Sequence, residues 1–137
     1  MNNECIFCKI INNEIPSKKV YEDNDFLAIL DVSPATKGHV LILPKEHAET
    51  LVELSDDKSS KIIILAKKII KAMMKVYGFS DYNLIQNNGK LAGQSVNHFH
   101  LHLIPRYGSG EVGLWTPHAN DESVTDENAK LVYDLLK

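Results

Sequence analysis

Residues 98–104 read His98-Phe99-His100-Leu101-His102-Leu103-Ile104, so that three of the chain's six histidines alternate with large apolar residues. Successive side chains of a β-strand point to opposite faces. A strand here would direct the apolar residues into a core and present all three imidazoles on the other face, whereas a helix would scatter them. Imidazole can act as a nucleophile, a proton donor or a metal ligand near neutral pH, so this strand is predicted to carry the functional site.

The segments around the histidine strand predict four further strands. Short apolar stretches bounded by turn residues place them at residues 19–22, 26–30, 39–43 and 82–86. Strands arranged in hairpins beside separate helices indicate the α+β class, with an antiparallel five-stranded sheet.

Helices are predicted at both ends of the chain and in its middle. The longest runs from about Ser55, a good N-cap, to Tyr77, with an apolar stripe along one face and Gly78 as a stop signal. Short helices are predicted over residues 5–12 and 46–53. A final amphipathic helix is predicted from about Thr125, and it is expected to bury Leu131, Val132 and Leu135.

Length and charge restrict the class of protein. A chain of 137 residues suits a single domain over residues 1–137. The formal net charge of −3 provides no basic field for nucleic acid, so no nucleic-acid partner is expected. No apolar run is long enough to span a membrane, and the N-terminal residues do not resemble a signal peptide. We therefore expect a cytoplasmic protein without a membrane partner.

Two further features predict chemistry. The only cysteines are Cys5 and Cys8, and a disulfide between them is improbable in a reducing compartment, so metal ligation is the better interpretation. The polar loop before the histidine strand offers amides, a hydroxyl and flexible backbone N–H groups at Asn87, Gly93, Gln94 and Ser95. Such a loop can form a nest for phosphate oxygens, which an adjacent imidazole could attack.

The histidine strand resembles the signature of the histidine triad (HIT) family, in which three histidines alternate with apolar residues. Four other segments agree with the family in order: residues 5–10, 31–34, 38–47 and 93–96. The resemblance covers residues 4–107 and is strongest to the Hint-like branch. It implies a HIT fold with a core over residues 4–107, a C-terminal helical extension over residues 108–137, and a homodimer.

The resemblance also implies roles for individual residues. His100 matches the nucleophile that attacks the α-phosphorus of a nucleotide and forms a covalent nucleotidyl-histidine intermediate, and His102 matches the residue beside the leaving group. His39 matches a supporting histidine, and Ser95 and Asn87 match contacts to the phosphate and the leaving group. Gly93 and Gln94 close the same loop. Asp31 matches the carboxylate that accepts the ribose hydroxyls, and Leu30 and Val32 flank the base.

A structural zinc site is the cofactor that the resemblance implies. Cys5 and Cys8 have the spacing of a zinc knuckle, and His47 and His98 would complete a Cys₂His₂ tetrahedron, as in bacterial-type members of the family. The competing interpretation places a catalytic zinc on His98 and the other two histidines of the triad. This interpretation leaves Cys5, Cys8 and His47 without a role.

The function expected from the resemblance is hydrolysis of purine nucleoside phosphoramidates or related nucleotidyl conjugates, small-molecule substrates that yield a purine nucleoside monophosphate. Two alternatives remain open. One is a dinucleoside polyphosphate hydrolase of the Fhit-like branch, in which a glutamine more often occupies the position of Asn87. The other is a non-catalytic nucleotide- or zinc-binding module.

Overall fold

The structure is a computed structural model that describes residues 4–137. Its strands and helices follow the predicted order closely. The elements are α1 (Ile6–Ile11), β1 (Lys19–Glu22), β2 (Phe26–Leu30), β3 (Val40–Pro44), α2 (Asp56–Tyr77), β4 (Asp81–Gln86), β5 (Leu101–Arg106) and α3 (Asp126–Leu135).

The five strands form one antiparallel sheet in the order β1-β2-β3-β5-β4. Helix α2 packs on one face through its buried apolar stripe, and α1 packs on the other. The predicted α+β class and the antiparallel five-stranded sheet are therefore confirmed, and two helices, α1 and α2, cover its faces.

Local sequence determines where α2 begins and ends. The Ser55 side chain accepts a hydrogen bond from the Lys58 N–H, and Gly78 ends the helix in the left-handed conformation at φ 74°. Six buried apolar side chains hold α2 against the sheet, and complete burial of a large one contributes about 1.5–3 kcal/mol. These predicted helix limits are confirmed.

The histidine segment departs from the predicted strand. Strand β5 begins only at Leu101, so His98 and His100 precede it and are buried, with 0% and 5% of their surfaces exposed. Pro44 lacks the N–H that would extend the ladder between β3 and β5, and the Phe99 N–H donates to the Ala48 carbonyl instead. The predicted burial of the alternate apolar residues is confirmed, but the prediction that the strand already includes residues 98–100 was wrong.

Two predicted helices also need correction. Residues 46–53 form turns and bends rather than a helix, because they connect β3 to α2 around the buried His98. Helix α3 begins where predicted, with Thr125 as its N-cap, but it buries none of its own side chains. Leu131, Val132 and Leu135 are 57%, 60% and 87% exposed, because α3 does not pack on the sheet.

Within residues 4–137, no helix is both long and apolar enough to cross a lipid bilayer.

Candidate active site

Two histidines and a carboxylate meet where β2 ends and β3 begins. His39 immediately precedes β3, and its Nε2 atom lies 2.9 Å from Nδ1 of His102 on β5. The same Nε2 atom lies 3.6 Å from an Asp31 carboxylate oxygen. The sheet thus unites three of the predicted site residues, although Asp31 and His102 are far apart in the sequence.

A backbone amide fixes the proton positions in this group. The Ala35 N–H donates to Nδ1 of His39 at 2.9 Å, so neutral His39 carries its proton on Nε2. That proton is donated to Nδ1 of His102, and the remaining proton of His102 therefore lies on Nε2. These tautomers follow from the hydrogen-bond network. His102 consequently presents an N–H donor on its outer nitrogen.

His100 has the opposite tautomer. Its Nδ1–H donates to the backbone carbonyl of His98 at 2.7 Å, which leaves the lone pair on Nε2. The edge of the Phe7 ring packs against the imidazole at a centroid distance of 5.0 Å, and the His102 ring lies 4.9 Å away on another side. An imidazole held in this way is a nucleophile that needs no separate base.

Burial keeps these imidazoles neutral. Desolvation lowers the pKa of His100 below its usual 6.5, and this outweighs the His98 carbonyl and the Asp31 charge, which both raise that pKa. Burial, together with repulsion from His100 and His39, lowers the pKa of His102 to about 4. The pKa of His39 is also lowered, again mainly by burial. All three are therefore uncharged at neutral pH.

The polar loop begins at the end of the sheet where His100 precedes β5. The ladder between β4 and β5 ends with the pair Gln86 and Leu101, so Asn87 follows β4 at that same end. The Asn87 side chain faces Gly93, which has a positive φ of 90°, and a Cβ atom at Gly93 would lie 3.6 Å from the Asn87 amide nitrogen. Asn87 is thus suitably placed for a substrate contact.

The remaining loop residues have different surroundings. The Gln94 side chain accepts a hydrogen bond from the Gly89 N–H and donates to the carbonyls of Glu49 and Val96. These bonds engage its amide within the protein, so any substrate contact from Gln94 must come from its backbone. Ser95 is exposed and lines a small cavity together with Cys5.

A second cluster joins the N-terminal segment to the histidine segment. Cys5 Sγ lies 3.4 Å from Nδ1 of His98, and Cys8 Sγ lies 3.2 Å from Nδ1 of His47. The two histidine Nδ1 atoms are 3.2 Å apart. All four ligand atoms lie within 4.8 Å of one another, so the four predicted zinc ligands converge on one point.

The donors of this cluster fit a zinc ion. His98 donates its Nε2–H to the Pro44 carbonyl at 2.8 Å, which directs its Nδ1 lone pair towards the two thiols. Two sulfurs and two imidazole nitrogens form the common tetrahedral donor set for structural zinc. Cys8 and His98 are almost wholly buried, at 2% and 0% exposure, so the site is closed to substrate. Burial is also the main cause that raises the pKa of the Cys5 thiol, which a bound cation would counteract.

The competing zinc site does not form. His98 points its Nδ1 towards the cysteines, and His100 uses Nδ1 for a backbone carbonyl, so the triad does not converge on one metal. Within residues 4–137, the only other group with metal-ligand spacing is Asp31, His39 and His102. A metal on Nε2 of His39 would require a proton on Nδ1, where the Ala35 N–H already donates. We therefore interpret that group as a hydrogen-bond chain.

Asp31, His39, His102 and His100 form a row in which each side chain lies beside the next. A cavity of about 720 Å³ opens at the Asp31 end of this row, beside Asp31 and His39. Leu30 and Val32, which the family resemblance places beside a base, line this cavity. Val32 is 94% exposed, so its side chain is open to contact with a ligand in the cavity. The cavity is large enough for a purine nucleoside.

Sequence reasoning missed three contributors to the site. Two of them act through the backbone: the Ala35 N–H sets the tautomer of His39, and the Pro44 carbonyl sets that of His98. No side-chain pattern identifies such groups. The third contributor is Phe7, whose ring packs on His100. Its position between the two cysteines was the only sequence feature that could have placed it near the site.

The HIT domain family matches residues 12–109 of the chain. A HIT-like protein of Methanocaldococcus jannaschii is 54% identical over 79% of this chain and 84% of its own length. The adenosine 5'-monophosphoramidase of Schizosaccharomyces pombe is 47% identical over 77% of this chain and 80% of its own length. A crystal structure of a HIT family protein from Bacillus anthracis aligns with a TM-score of 0.86 at 41% identity, covering 99% of this chain and 96% of that chain.

The chain belongs to the HIT domain family, and its similarity is to Hint-like members. The prediction that it is an enzyme, a HIT-family hydrolase, is confirmed by relatives that are named as adenosine 5'-monophosphoramidases or as an adenylylsulfatase. The structural match over nearly the whole chain shows that the Bacillus anthracis protein shares the C-terminal segment.

Proposed function

We propose that the protein hydrolyses purine nucleoside phosphoramidates or related nucleotidyl conjugates at the α-phosphorus. The observation that carries this proposal is the pair of opposite tautomers: a free lone pair on Nε2 of His100 beside an N–H donor on Nε2 of His102. This arrangement suits a displacement at phosphorus in which one nitrogen attacks and the other faces the departing atom. The fission yeast relative, named for its adenosine 5'-monophosphoramidase activity, supports the substrate class.

In the first step, Nε2 of His100 forms a bond to the α-phosphorus while the phosphorus–nitrogen bond breaks. The electron pair leaves with the amine, which takes a proton from water. Neutral His102 donates a hydrogen bond to the departing atom but keeps its proton, because losing it would leave an imidazolate. In the second step, water attacks the phosphorus and the phosphorus–nitrogen bond to His100 breaks. The electron pair of that bond returns to Nε2 of His100, and a proton of the water passes to solvent.

The other site residues bind and position the nucleotide in this proposal. Asp31 accepts the ribose hydroxyls, Leu30 and Val32 flank the base, and the loop of Asn87 and Ser95 holds the phosphate and leaving group. Cys5, Cys8, His47 and His98 hold a structural zinc, which contributes rigidity and no reaction step. The support for the nucleotide-binding roles is that Leu30, Asp31 and Val32 share the wall of one cavity and that Asp31 faces His39.

The substrate class can be tested by comparing two nucleotides. Adenosine 5'-phosphoramidate should be hydrolysed with kcat/KM at least about 100-fold above that of diadenosine tetraphosphate, since one transition-state contact typically contributes ten- to hundredfold. Release of AMP, followed by chromatography, measures both rates. The reverse order would favour the dinucleoside polyphosphate hydrolase, and turnover of neither would favour the binding module.

We also propose a homodimer of a cytoplasmic protein, in which residues 4–107 form the core and residues 108–137 an extension that packs on the second copy. The support is the exposed apolar face of α3, since an isolated helix of this length is marginal in water without a packing partner. The side of β4 that does not pair with β5 is also free to extend the sheet in the described residues.

Light scattering should give a mass of two chains, and removal of residues 112–137 should weaken the dimer at least about tenfold. A monomer at micromolar concentration would contradict this proposal.

A further inference from the structure

A buried hydroxyl outside the proposed catalytic residues connects two parts of the site. Thr36 lies in the loop between β2 and β3, and only 9% of its surface is exposed. Its Oγ1–H donates to the backbone carbonyl of Pro105 at 2.5 Å. Pro105 belongs to β5, the strand that also carries His102. Thr36 therefore joins the loop that precedes His39 to the strand of His102.

The backbone around Thr36 forms a closed turn with His39. The Thr36 carbonyl accepts a hydrogen bond from the His39 N–H at 3.2 Å, and the N–H of the preceding residue, Ala35, donates to Nδ1 of the same histidine at 2.9 Å. Ala35 is exposed, and its methyl group cannot form a hydrogen bond. The direction of the Ala35 N–H therefore depends on how firmly the adjacent Thr36 is held.

A second hydroxyl holds the same loop from outside. The Tyr107 hydroxyl donates to the Lys37 carbonyl at 2.6 Å, but Tyr107 is 44% exposed. Water can replace an exposed hydrogen bond, whereas loss of a buried one leaves an unsatisfied group inside the protein. The bond from Thr36 is therefore the more important of the two for the position of Ala35.

The proton on His102 depends on this position. If the Ala35 N–H moved away, neutral His39 could carry its proton on Nδ1. Its Nε2 atom would then accept from Nδ1–H of His102 across the same 2.9 Å, and Nε2 of His102 would hold a lone pair instead of a proton. Asp31 favours the original arrangement, but its carboxylate oxygen lies 3.6 Å from Nε2 of His39, beyond hydrogen-bond distance.

We infer that Thr36 is a positioning residue, whose hydroxyl acts through the Ala35 N–H and His39 to keep an N–H donor on Nε2 of His102. The inference rests on the proposed function for the use of that donor at the leaving group. Thr36 does not touch the substrate. An amine that departs from phosphorus gains from a hydrogen bond, whereas a nitrophenolate is a stable anion and departs without one. Loss of the Thr36 hydroxyl should therefore slow only the reactions of basic leaving groups.

The first experiment determines the tautomers of His39 and His102 at neutral pH by nitrogen NMR of the full chain. Both rings should carry the proton on Nε2 in the wild type. In Thr36→Val, which has nearly the same shape but no hydroxyl, part of the Nε2–H population of both rings should move to Nδ1. Thr36→Ser retains the hydroxyl and should retain the tautomers. Tyr107→Phe is the matched control, since it removes one hydroxyl from the same loop, and it should also retain them.

The second experiment compares two leaving groups in the same proteins. The substrates are the N-methyl phosphoramidate and the p-nitrophenyl ester of AMP. Thr36→Val should lower kcat for the phosphoramidate about tenfold, part of the hundredfold or more that loss of a transition-state donor typically costs. Its kcat for the ester and its KM for both substrates should stay within about twofold of the wild type. Thr36→Ser and Tyr107→Phe should match the wild type on both substrates.

Unchanged tautomers in Thr36→Val overturn the inference, and so does an equal effect on the two substrates, because a merely structural role would affect both alike. If Thr36→Val does not fold, Thr36→Ala removes the same hydroxyl without the bulk of valine. Failure of both to fold would show that the hydroxyl serves the fold rather than the site, and would also overturn the inference. Wild-type protein that hydrolysed neither substrate would contradict the proposed function, and the tautomers of Thr36→Val would still decide the positioning role.

Discussion

Replacement of His100 by asparagine should lower kcat/KM for adenosine phosphoramidate by on the order of 10⁴-fold or more, because it removes the attacking nitrogen. The fold should survive, since the asparagine side chain also carries an N–H that can donate to the His98 carbonyl in place of the imidazole. Binding of AMP should change little because the carboxylate and the loop are intact. Steady-state kinetics and calorimetry on the same preparation measure both quantities.

The matched control is His118→Asn, the same substitution at an exposed histidine far along the C-terminal segment. Its activity should equal that of the wild type. Acid-quenched wild-type enzyme should contain a protein-bound nucleotide during turnover, and His100→Asn should contain none. If His100→Asn hydrolysed the substrate at a rate close to that of the wild type, another group would be the nucleophile.

The pH profile follows from the same environment. The attacking imidazole must be neutral, and burial is the main cause that lowers the pKa of His100. A lowered pKa keeps the neutral form present as the pH falls through the ordinary histidine range, so the acid limb of kcat/KM should have its midpoint below 6.5. Activity is therefore retained above that midpoint and lost below it. A midpoint above 6.5 would show that the nucleophile is not buried in the active state.

The sequence was sufficient for the parts of the fold that depend on side-chain periodicity. Alternation in the histidine segment predicted burial of Phe99 and Leu101, and the capping residues predicted both ends of α2. Side-chain periodicity could not predict the features that depend on a backbone group. Strand β5 is shorter than predicted because Pro44 cannot donate to the ladder, which requires knowledge of the strand that faces it.

In the candidate site, too, the side chains could be predicted from the sequence but the contributions of the backbone could not. Its side chains were predicted from spacing and from the family resemblance, and the structure brings Asp31, His39 and His102 together. The proton positions of His39, His98 and His100 are determined by one backbone amide and two backbone carbonyls, groups that every residue type except proline possesses and that no sequence motif distinguishes. The sequence also could not predict that α3 is exposed. An amphipathic pattern predicts that one face of a helix is covered, but it does not identify the surface that covers it.

Removal of the metal should strongly lower the stability of the fold. Purified protein should contain about one zinc per chain, and Cys8→Ser should contain almost none, because Cys8 Sγ contacts both His47 and His98. A buried closed site couples its binding energy to folding, so the variant should lose about 3 kcal/mol in free energy of unfolding, or roughly 10 °C in Tm. Elemental analysis and thermal unfolding measure the two effects.

A chelator separates loss of the metal from damage by the substitution itself. Chelation should lower the Tm of the wild type to that of Cys8→Ser and leave the Tm of the variant unchanged, whereas a packing defect alone would leave the two proteins different. Absence of zinc from the wild type would contradict the proposed site. Because the His98 carbonyl accepts the Nδ1–H bond that orients His100, loss of the structural site should also reduce turnover, while the nucleotide contacts around Asp31 remain. The Cys₂His₂ site is thus expected to act on catalysis through the position of one backbone carbonyl.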